Sequence, residues 1–171
     1  TFNVLGPGCT VSAQTKLEQT VQNATDADAF LSKHDRRGTH LWTRQIGTSA
    51  EDVSLGTTTD LFGNIFLAGY TGCALTDTTN AGGLDAFLIK FSDSGRELWR
   101  RQFGSPGDDV ALALTTDAEG DVYVVGQTSS AFAEHSSAGE VDLYLIKFDS
   151  GGLLQWSQQW GTTGHDLGAE L

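Results

Sequence analysis

The sequence predicts an all-β fold built from repeated four-stranded antiparallel sheets, and three observations predict it. One set of residues recurs at a constant interval along the chain. Within each copy, apolar and polar residues alternate with the two-residue period of strands. Short breaks containing Asp and Gly separate the alternating runs. The composition permits such a fold, since 171 residues, 39% of them hydrophobic, are enough to bury a core.

The interval is 57 residues. It separates Asp28, Asp85 and Asp142, which open the strings DAF, DAF and DLY. The same interval superimposes Lys33, Lys90 and Lys147, then Gly38, Gly95 and Gly152, then Trp42, Trp99 and Trp156. It also aligns Gln45, Gln102 and Gln159, Gly47, Gly104 and Gly161, and Asp52, Asp109 and Asp166, with no gap.

In the last complete unit, four strands read DVALALTT from Asp109 (strand A), DVYVVG from Asp121 (B), DLYLIKF from Asp142 (C) and LLQWSQQW from Leu153 (D). The A to B breaks are DLFGN from Asp60 and DAEGD from Asp117. The C to D breaks are SDSG from Ser92 and DSGG from Asp149. Asp early and Gly late is hairpin chemistry, because the carboxylate accepts from nearby backbone N–H groups and Gly adopts positive φ. Each unit is therefore expected to be an antiparallel meander. A single meander leaves apolar faces exposed, and stacking copies face to face around an axis buries them, which is the β-propeller arrangement. The Trp triplet on strand D is expected to pack between adjacent sheets as core.

The expected division is residues 1–27 as an N-terminal strand and polar loop completing a blade, 28–84 and 85–141 as full repeats, and 142–171 as a partial third. With TFNVLG as an initial strand B and DLGAEL as a terminal strand A, the chain holds about three blades' worth of strands. A closed ring has 4 to 8 blades. The expectation is an incomplete ring continued in sequence outside this stretch, in keeping with Thr1 rather than Met at the first position. Two chains sharing blades is the alternative.

The string DAFLIKFSDSGRELWRRQFGSPGDDVALALTTDAEGDVYVVGQT from Asp85, with its two partial copies, resembles the SBBP β-propeller repeats over nearly everything after Asp28. The Lys-x-x-Asp-x-Gly-x-x-x-Trp pattern at Lys90 is also similar to quinoprotein-type blades, but nothing identifies ligands for a quinone. The SBBP resemblance implies an extracellular or cell-surface setting and no particular activity.

Ten Lys and Arg oppose 22 Asp and Glu, giving a formal charge of −12 that repels phosphate backbones and anionic membranes. Nucleic-acid partners and membrane insertion are thus not expected, and no apolar run approaches a bilayer span. Cys9 and Cys73 lack the close spacing of a zinc or redox motif and are read as structural thiols or a staple. Asn23-Ala24-Thr25 is a glycosylation sequon read as a chance match.

In a meander the A–B and C–D hairpins share one rim, so the B–C and D–A loops share the other, the candidate functional face. The B–C loops, 72–84 and 129–141, are rich in Thr, Ser, Ala and Gly, which suits a protein or glycan partner. The D–A loops GTSAED, GSPGDD and GTTGHD each end in Asp. Asp52, Asp109 and Asp166 are therefore expected at the channel mouth, with Asp28, Asp85 and Asp142 on the same rim. Their oxygens suit Ca²⁺, and the competing role is capping of loop N–H groups. The four histidines lack metal-ligand spacing, and His34, which takes the position of Phe91 and Phe148, is expected to be partly buried.

No GxSxG, HExxH or GxxxxGK[ST] motif occurs, and no cofactor is implied beyond Ca²⁺. The functional expectation is a non-catalytic interaction or scaffolding module, completed by other blades or chains. The alternatives are a hydrolase or lyase using the repeated carboxylates, and a structural subunit of a larger assembly. Repetition argues for alike carboxylates, whereas acid–base pairs need unlike ones.

Overall fold

The computed structural model describes residues 4–6, 9–10, 27–132 and 134–168. Among these residues there are twelve strands and no helix, so no helix is long and apolar enough to cross a membrane. The strands are β1 (Val4–Gly6), β2 (Cys9–Thr10), β3 (Ala29–His34), β4 (His40–Ile46), β5 (Asp52–Thr59), β6 (Ile65–Thr71), β7 (Asp85–Phe91), β8 (Glu97–Phe103), β9 (Asp109–Thr116), β10 (Val122–Thr128), β11 (Asp142–Phe148) and β12 (Leu154–Trp160).

Strands β5 to β8 and β9 to β12 form two four-stranded sheets in chain order, and β3 and β4 form a two-stranded sheet, all antiparallel. The all-β meander architecture expected from the repeat is present. The hairpin chemistry explains why it forms. Asp60 Oδ1 accepts from the backbone N–H groups of Phe62 (3.0 Å) and Asn64 (2.9 Å), and Gly63 sits at φ +80°. In the hairpin after β7 a Ser takes the Asp role, with Ser92 Oγ accepting from Arg96 N–H at 3.1 Å.

The sheets pack face to face in series. Ala29, Ile46, Leu67, Phe87, Ile89 and Phe91 form the core between the first and second sheets. Phe66, Leu88, Val124, Tyr144, Ile146 and Phe148 form the core between the second and third. Alternation assigns the faces: on β7, Ala86 and Leu88 look onward to the third sheet, while Phe87 and Ile89 look back to the first. Full burial of each such large side chain contributes roughly 1.5–3 kcal/mol. The first strands of the full sheets meet where Thr116 Oγ1 donates to Thr59 O at 3.1 Å, so β5 and β9 lie side by side along the inner edge. No ring closes among the described residues.

Three local expectations require correction. The initial TFNVLG segment contains β1, but β1 pairs with β2 in a short hairpin rather than extending β3. At the other end, residues 166–168 of DLGAEL are not a strand and 169–171 lie outside the described residues; one isolated bridge, Val141 to His165, is formed. His34 is exposed, because it looks back from the first sheet and no described sheet stands before that face.

Candidate functional site

The six repeated carboxylates gather on one rim. Thr71 pairs with both Asp52 and Asp85 across the second sheet, and Thr128 pairs with both Asp109 and Asp142 across the third. Between sheets, Asp52 N–H donates to Ala27 O (2.6 Å), Asp109 N–H to Leu84 O (2.7 Å) and Asp166 N–H to Val141 O (2.9 Å). These bonds set each strand C Asp beside the Asp that ends the next D–A loop, giving the pairs Asp28/Asp52, Asp85/Asp109 and Asp142/Asp166.

A glycine permits each pairing. A Cβ on Gly104 would stand 2.8 Å from Asp85 Oδ1 and 2.9 Å from Asp109 Oδ2, and Gly47 and Gly161 are wedged against their carboxylates in the same way. The recurrence of glycine at this position follows from the lack of room for any side chain.

Asp52, Asp85, Asp109 and Asp142 each have one oxygen engaged in holding a loop, and Asp166 holds Thr162 with both. Asp52 Oδ2 accepts from Thr48 N–H (2.6 Å) and Oγ1 (2.9 Å), and Asp109 Oδ2 accepts from Ser105 N–H (2.6 Å) and Oγ (2.9 Å). Asp166 Oδ2 accepts from Thr162 N–H at 2.5 Å. On strand C, Asp85 Oδ2 accepts from Ala81 N–H (2.8 Å) and Gln102 Nε2 (2.9 Å), and Asp142 Oδ2 from Ala138 N–H (2.8 Å) and Gln159 Nε2 (2.7 Å). Gln45 donates likewise to Asp28.

The glutamines tie the B–C loops down. Gln102 Oε1 accepts from Leu75 N–H at 2.8 Å and Gln159 Oε1 from Phe132 N–H at 2.7 Å. Their constant spacing was visible in the sequence, but their role depends on a loop contact that spacing does not encode. Thr71 and Thr128 were missed although they too stand 57 residues apart; Thr128 Oγ1 lies 3.2 Å from Ser105 Oγ.

Asp52, Asp85, Asp109 and Asp142 are fully buried, and the Oδ1 atom of each is buried without a hydrogen-bond partner. Burial pushes the Asp52, Asp85 and Asp109 carboxyls above the ordinary value, with Asp85 adding to the effect on Asp109. At Asp142 burial is outweighed by the Ala138, Gln159 and Ser137 donors, and the carboxyl lies below the ordinary value. Among the described residues no three His, Cys, Asp or Glu side chains converge on a point where they would hold a metal ion.

The rim loops are partly sunk into the sheet junctions. Cys73, Ala74, Leu75 and Phe132 are buried, while Asp77, Thr79, Asn80, Glu134, Ser136 and Glu140 are exposed. Cys73 is disulfide-bonded, and Cys9 is the one other cysteine of the chain.

The opposite rim carries a second repeated constellation. Trp42 Nε1 donates to Asp93 O and Trp99 Nε1 to Ser150 O, each at 3.1 Å, while their indoles cover Gly95 and Gly152 of the following sheet's hairpin. Those glycines have φ of +77° and +81°, and a Cβ on either would lie 2.8 Å from the indole, so both conformation and space require Gly. Arg44 Nε donates to Gly95 O (2.5 Å) and Arg101 Nε to Gly152 O (2.6 Å). Lys33 Nζ reaches Asp93 O and Lys90 Nζ reaches Ser150 O, both at 3.0 Å. The tryptophans thus lie between sheets, half-buried over a hairpin rather than in the core centre.

Serial packing of four-stranded meanders, one clasping the next, defines a protein built from propeller-type repeats. Residues 98–133 match the SBBP family model, a beta-propeller repeat, in agreement with the resemblance carried by the 57-residue motif. The chain is 23% identical over 163 residues to "Uncharacterized WD repeat-containing protein L264" of Acanthamoeba polyphaga mimivirus, covering 72% of this chain and 12% of that protein. It is 27% identical over 163 residues to "Regulatory protein FlaEY" of Caulobacter vibrioides, covering 85% of this chain and 17% of that protein. The chain therefore spans less than a fifth of the length of either curated relative.

Proposed function

We propose that the chain is a non-catalytic interaction or scaffolding module of an exported or surface protein, binding a protein or glycan at the carboxylate rim and completed by further blades or chains. The observation that carries this reading is the division of labour on that rim. Four of the six repeated carboxylates are buried beneath the loops they hold and Asp28 and Asp166 are partly buried, whereas the surface offered to a partner is hydroxyl, amide and acidic. The disulfide at Cys73 supports an oxidising, exported setting. A repeat match and two distant relatives, one named for WD repeats and one for regulation, support an interaction role.

The test is a protein and glycan array probed with the intact chain and with an Asp77→Ala/Asn80→Ala variant. A ligand bound by the first and lost by the second is expected. An array that finds no ligand overturns the reading, as does turnover of a substrate that disappears in Asp109→Asn.

A second reading, Ca²⁺ held by the carboxylate pairs, is favoured by the four buried Oδ1 atoms without partners. Two such oxygens at Asp85/Asp109, and one at each of the other pairs, fall short of the six to eight ligands calcium takes, so loop carbonyls and water would supply the rest. Calorimetric titration with Ca²⁺ decides it: saturable heat that Asp85→Asn/Asp109→Asn diminishes supports the ion, and no heat removes it.

A further inference from the structure

Among the described residues, the hairpin rim carries one clasp without a hairpin and one hairpin without a clasp. On the third sheet, Lys147, Trp156 and Gln158 stand at the positions of Lys90, Trp99 and Arg101, and no further hairpin lies over them among the described residues. Trp156 is 39% exposed. At the other end of β12, Trp160, at the position of the buried Ile46, is 48% exposed. On the first sheet, the hairpin 35–38 has the conformation of its clasped counterparts, with Gly38 at φ +81°. Gly95 and Gly152 are buried under indoles, but Gly38 is exposed and a Cβ there would meet nothing within 4 Å. Phe30, which takes the position of the fully buried Phe87 and Tyr144, is 64% exposed on the same side.

The charges say which hairpin fits the open clasp. At the clasp between the second and third sheets, Lys90 and Arg101 against Asp60 leave one positive charge, and the hairpin received there carries Asp149. At the preceding clasp, Lys33 and Arg44 receive a hairpin carrying Asp93. The open clasp is inverted. Gln158 replaces the arginine, and Lys147 is bracketed by Asp117 (3.3 Å) and Asp121 (2.9 Å), the latter standing where the second sheet has Asn64. One negative charge remains. The unclasped hairpin is inverted too, since Arg36 and Arg37 outweigh Asp35 where the other two hairpins are acidic. A clasp and a hairpin that both depart from the repeat, in opposite senses, are complementary to each other.

We infer that the third sheet of one copy receives the 35–38 hairpin of a second copy of this chain, head to tail. Trp156 covers Gly38 of the second copy, Lys147 and the Trp156 indole N–H donate to the carbonyl of Arg36, and Gln158 Nε2 donates to the carbonyl of Gly38. These are the bonds that the two internal clasps make at the equivalent atoms. The contact is heterologous, so copies add in one direction and close into a ring only if the rotation permits. The inference gives a specific partner to the completing chain of the proposal above, and it fails separately: a monomer that still binds a rim ligand refutes this assembly and leaves that reading intact.

Sedimentation velocity of the 171-residue chain over a concentration series, at low and high salt, tests it. Concentration-dependent association that weakens with salt is expected. Trp156→Ala and the double variant Arg36→Glu/Arg37→Glu should each weaken it about tenfold or more. Arg36 and Arg37 lie on an exposed hairpin, so the charge variant keeps its fold, which circular dichroism checks. An equal mixture of the two variants retains one working clasp and one working hairpin and should form a heterodimer that grows no further. A chain monomeric throughout, variants that associate like the parent, or a mixture without heterodimer would each overturn the inference.

Discussion

If the clasp contributes stability by closing one sheet on the next, the same substitution must cost different amounts at filled and open positions. Trp99→Ala removes an indole that lies over Gly152, meets the Phe66 ring edge-on at a centroid distance of 5.8 Å, and donates a 3.1 Å hydrogen bond to Ser150 O. Because Trp99 is half-buried, roughly 100 Å² of apolar surface is lost, worth about 2.5 kcal/mol. The lost hydrogen bond adds about 1 kcal/mol. A total of about 3.5 kcal/mol sits in the lower half of the usual Trp→Ala range. Trp156→Ala removes an indole that touches Tyr123 edge-on at 6.0 Å and has no hairpin over it among the described residues. No cavity forms on that open side, and the expected cost is about 1.5 kcal/mol. Urea denaturation at dilute protein concentration, followed by far-ultraviolet circular dichroism, measures both, with Trp42→Ala as a second filled clasp expected to behave like Trp99→Ala. Equal losses at Trp99 and Trp156 would refute the claim that the following hairpin gives the indole its value.

Three further outcomes are expected. Asp109→Asn removes a buried carboxylate whose raised folded pKa contributes stability that is fully present below the ordinary value of 3.8 and lost as pH rises through the folded value; the variant should gain on the parent from mildly acid to neutral pH, and urea midpoints across that range check it. Asp142 has the opposite sign: its lowered folded pKa contributes stability above 3.8 that is lost as pH falls through the folded value, so Asp142→Asn should cost most at neutral pH and progressively less in acid. Lys90→Met strands the Asp60 carboxylate, which is buried 3.4 Å from Lys90 Nζ, and should cost about 3–5 kcal/mol, whereas Lys90→Met/Asp60→Leu should recover part of that loss by thermal denaturation.

The meanders were legible because a gapless 57-residue interval repeats both the alternation and the hairpin punctuation, and each sheet is made from local pairings. The placement of the carboxylates was legible for the same reason, since in a meander strand starts at A and C must share a rim. The function of the Lys and Gln triplets was not, because each acts on a partner outside its own hairpin: Lys90 reaches across 60 residues to Ser150, and Gln102 reaches back 27 residues to Leu75. Arg44 and Arg101 were hidden by the third copy, where Gln158 breaks the triplet. The reading of His34 failed because position within the repeat predicts which face a side chain takes, while burial also needs a sheet opposite that face.

The two rims divide the work of the repeat. On one, aspartate, glutamine and glycine hold the loops down from within, leaving exposed side chains such as Thr79, Glu134 and Ser136 outside the load of the fold. Substitution at those positions costs little, so a binding surface can change there without disturbing the sheets. On the other, lysine, tryptophan and glycine join each sheet to the next, and a change there alters which hairpin is accepted. Gln158, Asp121 and the Arg36–Arg37 pair, which depart from the hairpin-rim pattern, lie on the faces left uncovered among the described residues, whereas the internal clasps keep Lys, Trp and Arg. Internal clasps need only hold. In the head-to-tail assembly inferred above the outer clasp must also discriminate, and exchanging the sign of its charge disfavours the acidic hairpins of the second and third sheets.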